Sequence, residues 1–125
     1  MPVTWSVEPE GEFVVLLPQD PSTFDEWRTA MLDILASPNA RPHLSMMVDR
    51  RKAETVTTDF VVQMIGFFSQ HQEAFAGSRT AIVVSDDSGF GMGRMTELKS
   101  ALENPASTIR VFRSYDEGAR WLKGR

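Results

Sequence analysis

The feature that most constrains the fold is a short apolar run followed by alternating glycines. Residues 81–84 (Ala-Ile-Val-Val) are unbroken apolar sequence, the pattern of a strand in a parallel sheet that is covered on both faces. Residues 85–88 favour turns and helix caps, and Gly89, Gly91 and Gly93 follow before a helical pattern begins. One face of that helix, residues 92–103, carries Met92, Met95, Leu98 and Leu102. We expect a buried strand, a glycine-rich loop and a helix, with a ligand outside the carboxyl end of the strand.

Two strands at the start of the chain are predicted to form a hairpin. Residues 3–7 alternate apolar and polar side chains, and residues 13–17 are continuously apolar. The Pro-Glu-Gly segment at residues 9–11 is a turn signal between them. We therefore expect an antiparallel pair whose first strand lies at an edge of the sheet.

The rest of the chain alternates strands with single helices. Further strands are predicted at residues 44–48, 80–84 and 109–112, where apolar residues run together. The order β-β-α-β-α-β-α-β-α predicts an α/β fold in one domain, residues 1–125, with a mostly parallel five-stranded sheet and an antiparallel N-terminal edge strand. Helix caps are predicted at Thr23 or Ser22, at Thr57 or Thr58, and at Ser114.

The second predicted helix has an apolar arc that is wider than contact with one sheet face requires. Three interpretations stay open: a core packed within the chain, a pocket for an apolar ligand, and a self-association surface. The candidate residues for the pocket or interface are Phe60, Met64, Phe67 and Phe68.

Three aspartates follow predicted strands. Asp49 ends the third strand, and Asp86 and Asp87 follow the fourth. The carboxyl ends of parallel strands share one edge of a sheet, so these carboxylates would suit a magnesium ion in a phosphoacceptor or phosphoryl-transfer site, with Arg113 beside it. In the alternative interpretation, Asp86 and Asp87 cap the turn, and Asp49 pairs with the basic run at residues 50–52.

The segment from Gly89 to Arg94 has two interpretations of its own. It lacks the glycine spacing of a dinucleotide-binding fingerprint and the Gly-Lys-Ser/Thr of a P-loop. One interpretation is an anion site at a helix N-terminus, with Arg94 as a second contact. The other is a tight turn whose glycines permit close packing, with Phe90 and Met92 in the core.

Composition argues against several functions. The chain has no cysteine, which excludes disulfides, thiolate metal sites and a cysteine nucleophile. Its 13 basic and 17 acidic residues are interspersed, whereas nucleic-acid binding requires a clustered basic face. No apolar run is long enough to span a bilayer and no signal peptide is visible, so we expect a cytoplasmic protein. No serine stands in a nucleophile-elbow context, and no cofactor is expected.

Two segments carry a family resemblance. Residues 81–95 (AIVVSDDSGFGMGRM) and residues 111–122 (VFRSYDEGARWL) resemble the SpoIIAA-like group within the STAS/SEC14-type bacterial domains. The resemblance covers residues 13–122 and implies a SpoIIAA-like sandwich without enzymatic activity that acts as a binding or regulatory domain. Anti-sigma-factor antagonists in this group are phosphorylated on serine in an Asp-x-Ser context, which Asp49-Arg50-Arg51 does not match. SEC14-like relatives imply an apolar or lipid-like ligand.

These observations predict a non-enzymatic binding or regulatory domain. The alternative is a magnesium-dependent phosphoacceptor or phosphoryl-transfer protein. The expected partners are a second copy or another protein, or a small apolar, lipid-like or anionic ligand. The predicted ligand-binding residues are Asp49, Asp86, Asp87, Gly89, Phe90, Gly91, Met92 and Arg94.

Overall fold

A five-stranded mixed sheet forms the centre of the molecule in a computed structural model. The structure describes residues 3–8, 12–19, 23–37, 45–53, 56–103 and 107–124. The strands are β1 (Val3–Val7), β2 (Val14–Pro18), β3 (Met46–Asp49), β4 (Ser78–Val83) and β5 (Ser107–Phe112). The helices are α1 (Phe24–Ala36), α2 (Thr58–Gln70), α3 (Gln72–Phe75), α4 (Asp87–Glu103) and α5 (Tyr115–Leu122).

The strand order is β1-β2-β3-β4-β5. The antiparallel β1–β2 pair runs from Val3 opposite Pro18 to Val7 opposite Val14, and all other neighbours are parallel. The predicted hairpin, the edge position of β1 and the α/β fold class are therefore confirmed. Right-handed crossovers that add each strand on the same side place their helices on one face of the sheet, and α1, α2 and α4 share that face.

The two faces of the sheet carry separate hydrophobic layers. On the α1/α2/α4 face, the strand residues Leu16, Val48 and Ile82 pack with Trp27 of α1 and Phe68 of α2. On the opposite face, which we call the α5 face, α5 packs on the sheet. The buried members of that second layer are Phe13, Met47, Ala81, Val83, Phe112 and Leu122.

Two predicted caps hold the helices of the larger layer. Thr23 and Glu26 form the reciprocal capping box at the start of α1, and the alternative cap Ser22 lies outside the described residues. Thr57 caps α2 by accepting a hydrogen bond from the Phe60 N–H at 3.1 Å. No described helix is long and apolar enough to cross a membrane.

The predicted glycine-rich loop is wrong, because those glycines lie inside α4. The helix begins at Asp87, and the Asp86 carboxylate accepts the Gly89 N–H at 2.7 Å, which is an N-cap contact. The physical reason is close packing: a Cβ on Gly93 would lie 2.7 Å from the Val111 Cβ. Glycine lets α4 approach β5 at that point, although each glycine costs helix stability of about 1 kcal/mol relative to alanine.

The packing face of α4 is not the face that carries its large apolar residues. Thr96 and Ser100 are buried together with Gly93, whereas the side chains of Leu98 and Leu102 are 64% and 87% exposed. The buried Thr96 hydroxyl donates to the Met92 carbonyl at 2.9 Å, so its polar group is satisfied. Small side chains therefore face the sheet, and leucines face outward.

Candidate functional site

A cleft opens between α2 and α4, above the carboxyl ends of the central strands. Its cavity volume is about 40 Å³, which is room for about three water molecules. Parallel α/β sheets bind ligands outside the carboxyl ends of their strands, so this position agrees with the predicted one. The lining residues belong to β3, β4 and β5, to α1, α2 and α4, and to two connections.

The inner part of the cleft is apolar. Met64 and Phe68 of α2 face Ile82 of β4 and Ile109 of β5 across it. Thr96 is a polar side chain at this depth, and its hydroxyl is already bonded within α4. An interior of this kind favours an apolar group over an ordered water molecule, because an ordered water needs polar partners.

The mouth of the cleft is polar and carries both charges of the lining. Arg50 places its guanidinium carbon 5.9 Å from the centroid of the Phe60 ring, at cation–π distance. Its backbone N–H donates to the Val83 carbonyl at 2.8 Å, which fixes the start of this connection. Asp86, on the other side, directs its carboxylate at the N-terminus of α4, where the helix dipole stabilises negative charge.

Asp49 lies on the other face of the sheet from the cleft. Its carboxylate accepts two hydrogen bonds from the Arg51 guanidinium, at 2.9 Å and 2.8 Å, and is only 10% exposed. These hydrogen bonds from Arg51 lower the pKa of the Asp49 carboxyl, and burial opposes them. The predicted pairing of Asp49 with the basic run is therefore confirmed.

The same guanidinium also contacts α5. The Arg51 guanidinium carbon lies 5.2 Å from the centroid of the Tyr115 ring, and burial raises the pKa of the Tyr115 hydroxyl. The carboxylate, the guanidinium and the aromatic ring form a stack that joins the end of β3 to the start of α5. This stack has a structural role, because its charges are paired with each other.

The structure does not bring the three aspartates into one site. Asp49 is bound by Arg51, and Asp86 caps α4. Asp87 pairs with Arg113 at 2.8 Å rather than capping the turn, although its side chain is 94% exposed. Among the residues that the structure describes, no group of three histidine, cysteine or acidic side chains is placed to hold a metal ion.

The residues predicted to bind a ligand are divided between the cleft and the surface. Asp86, Gly89 and Met92 line the cleft. Phe90 lies under the Arg113 guanidinium at 4.4 Å, and Arg94 pairs with Glu97 at 3.4 Å. The remaining predicted residues, which do not line the cleft, are Asp49, Asp87 and Gly91.

The four aromatic and methionine residues predicted on α2 lie mostly inside the chain. Phe60, Met64 and Phe68 line the cleft, and Met64, Phe67 and Phe68 are buried. Phe67 packs against Trp27, with ring centroids 5.3 Å apart. Their burial agrees with the core and pocket interpretations, and a ligand contact stays a prediction.

Sequence reasoning missed several lining residues that come from distant parts of the chain. Arg50 had a recognisable signal, since it follows a strand whose carboxyl end faces the predicted site. Ala53, Val56 and Thr80 had none, because small side chains in a loop and a threonine in a strand suit many environments. These residues form one lining only in the folded protein, where α2 and α4 lie side by side.

Comparison with known proteins bears on the fold. No model of a protein family matches the chain, and no curated protein matches it in sequence. A crystal structure of an uncharacterised protein from the DUF3478 family, from Shewanella loihica PV-4, is similar with a TM-score of 0.63 and 10% sequence identity. The match covers 96% of this chain and 91% of that one, and the solved protein is described as having a SpoIIAA-like fold. The chain therefore has the SpoIIAA-like fold that its sequence resembles.

Proposed function

We propose that this protein is a non-enzymatic binding domain whose ligand occupies the cleft between α2 and α4. The observation that carries the proposal is the arrangement of an apolar interior below a mouth that holds Arg50. The ligand is a small amphipathic anion, with a short apolar end inside and a carboxylate or similar group at the guanidinium. A volume of about 40 Å³ accepts a few carbon atoms, so the apolar end is short.

The charges at the mouth support an anion over a cation. Asp86 already meets the N-terminus of α4 through the Gly89 N–H, so that helix end offsets its negative charge. The Arg50 guanidinium lies on the Phe60 ring at the edge of the cleft. A guanidinium has five N–H donors, so it can bind a carboxylate in addition to its other contacts.

The lining also supports binding without catalysis. Nucleophilic catalysis requires a nucleophile within hydrogen-bond reach of a base. Ser85, the serine in the lining, donates its hydroxyl to the Arg51 carbonyl at 3.1 Å instead. Of the two charged groups at the mouth, one is a guanidinium that does not lose its proton, and the other caps a helix.

A regulatory role follows from the position of the cleft between two helices. A ligand there contacts α2 and α4 together, so occupancy stabilises their packing against each other and against the sheet. The stabilisation depends on ligand concentration by mass action. The protein would report the concentration of its ligand through the rigidity of these helices.

The test is thermal unfolding with butanoate and, separately, with butylamine, which has an apolar tail of similar length and the opposite charge. We expect butanoate to raise the melting temperature saturably and butylamine not to raise it. Arg50→Gln should remove the shift, and Arg28→Gln, an exposed arginine on α1, should retain it. Equal shifts with both compounds, or an unchanged shift in Arg50→Gln, would contradict the proposal.

A further inference from the structure

The backbone groups on the outer edge of β5 are not used by any strand among the described residues. The Phe112 carbonyl accepts the Val84 N–H at 3.0 Å, so Phe112 directs its backbone groups toward β4. In a parallel pair the direction alternates along the strand, and Arg110 therefore also faces β4. Ile109 and Val111 direct their N–H and C=O groups away from the sheet. Among the described residues, no strand lies beyond β5.

This edge has few of the features that usually block strand addition. Natural edge strands are protected by shortness, bulges, proline or charged side chains. All six residues of β5 pair with β4 in one continuous register, and none of them is proline. The charged side chain of β5, Arg110, lies over the rings of Phe112 and Trp121 at 5.2 Å and 5.6 Å. The guanidinium thus lies against the α5 face, beside the outward backbone groups of β5.

Positive charge is concentrated at this end of the sheet. Arg79, on the neighbouring strand, has its guanidinium 5.4 Å from the same Trp121 ring that contacts Arg110. The chain as a whole has a formal net charge of −4, so this local excess of arginine is a distinct feature. It is complementary to an acidic partner.

We propose that the outer edge of β5 binds an extended acidic segment of a partner protein, which adds to the sheet as a further parallel or antiparallel strand. Its backbone pairs with Ile109 and Val111, as in other strand-addition complexes, and its carboxylates meet Arg110 and Arg79. This site uses the outward backbone groups of β5, whereas the cleft is lined by the Ile109 side chain, and it does not depend on the cleft being occupied.

Charge favours this occupant over a second copy of the chain. Two copies of the chain would pair through β5 as symmetric antiparallel strands. The register that places Ile109 opposite Val111 of the second copy uses the outward N–H and C=O groups of both residues. That register places the two Arg110 residues opposite each other, and like charges directly opposite destabilise a strand pair. An acidic segment meets the same position with the opposite charge.

The test uses a fluorescent peptide of alternating valine and glutamate with the length of β5. We expect saturable binding by fluorescence anisotropy, and slower hydrogen exchange of the Ile109 and Val111 amides in the bound protein. The Arg110 amide, already bonded to β4, should be slow in both states. A peptide N-methylated on alternate residues and a peptide with lysine in place of glutamate should both fail to bind.

The protein variants distinguish a loss of binding caused by a change of charge from a loss caused by misfolding. Arg110→Glu should weaken binding by about tenfold or more, and Arg28→Glu, on α1, should leave it unchanged. The exchange measurement on the unaltered protein decides the proposal even if Arg110→Glu folds poorly. Absence of binding, binding without protection of Ile109 and Val111, or protection of these amides by self-association without peptide would overturn it.

Discussion

Gly93 lies directly against Val111, so that the backbone of α4 approaches β5 without a side chain between them. A Cβ at this position would lie 2.7 Å from the Val111 Cβ, well inside normal van der Waals contact. The contact fixes the height of α4 above the sheet, and with it the width of the cleft between α4 and α2.

Gly93→Ala should therefore destabilise the protein, by about 1–3 kcal/mol in the free energy of unfolding, because the added methyl group overpacks the helix–strand contact. Gly91→Ala is the matched control in the same helix, since a Cβ there meets nothing within 4 Å. It should stabilise the protein by about 0.5–1 kcal/mol through helix propensity. Urea unfolding of both variants measures the difference, and equal effects would contradict the packing described for Gly93.

Exchanging polarity on α4 should have unequal effects on stability at two nearby positions. Thr96 is buried and Leu98 is 64% exposed. Thr96→Leu inserts a larger side chain at the helix–sheet contact and should cost about 1–3 kcal/mol in the free energy of unfolding. Leu98→Thr, at the exposed position, should change it by about 0.5 kcal/mol or less. A larger loss in Leu98→Thr would show that the leucine face is the packing face.

Asp49→Asn should destabilise the protein by about 1–2 kcal/mol near neutral pH. The change removes a charge-assisted bidentate contact, and the estimate is at the lower end because the Arg51 side chain is 47% exposed and screened by solvent. Urea unfolding of the variant and of the unaltered protein measures this loss.

The loss of stability in Asp49→Asn should also depend on pH, and it should become smaller as the pH falls. Arg51 lowers the pKa of Asp49 below the usual value of 3.8, so the contribution of the ionised carboxylate to stability is present above that pH. It is lost as the pH falls through the lower pKa of the folded state. The stability difference between Asp49→Asn and the unaltered protein should be constant between about pH 7 and pH 5 and shrink below about pH 4. A difference that is independent of pH down to acid unfolding would exclude this assignment.

Ala53→Leu should block the cleft without disturbing the core. Ala53 lines the mouth and is half-buried in a connection, so a larger side chain narrows the entrance. We expect the thermal shift with butanoate to disappear, while the melting temperature without ligand changes little. Ala36→Leu, at the exposed end of α1, is the control and should retain the shift.

Local patterns were sufficient to predict the strands, the hairpin and the caps. Strand periodicity and the Thr23–Glu26 spacing depend on neighbours in sequence, and the structure has the elements where those signals lie. The glycines at residues 89–93 were misassigned, because the low helix propensity of glycine is a local quantity and the contact of Gly93 with Val111 is not. Tertiary packing overrode propensity at that point.

The candidate site was predictable in position but not in composition. The carboxyl ends of the strands were the expected place, and Asp86, Gly89 and Met92 do line the cleft. Strand-end aspartates suggested a shared metal site. The structure separates them because Asp49 lies on the α5 face at the end of β3, whereas Asp86 and Asp87 lie at the start of α4 on the other face, and because each has its own partner. The depth of the cleft depends on how far α2 and α4 stand apart, which no local pattern encodes.

The arrangement of α5 has a consequence for partial unfolding. This helix is the last element described, and of the described helices it is the one that covers its face of the sheet. It can therefore detach without withdrawing any strand, at the cost of the Arg51–Tyr115 stack and of the hydrogen bond from Arg79 to the Trp121 carbonyl. Such an opening exposes Met47, Ala81 and Val83 as one hydrophobic surface and leaves the opposite layer intact. Opening of α5 alone would thus be a partial unfolding in which the sheet and the cleft persist.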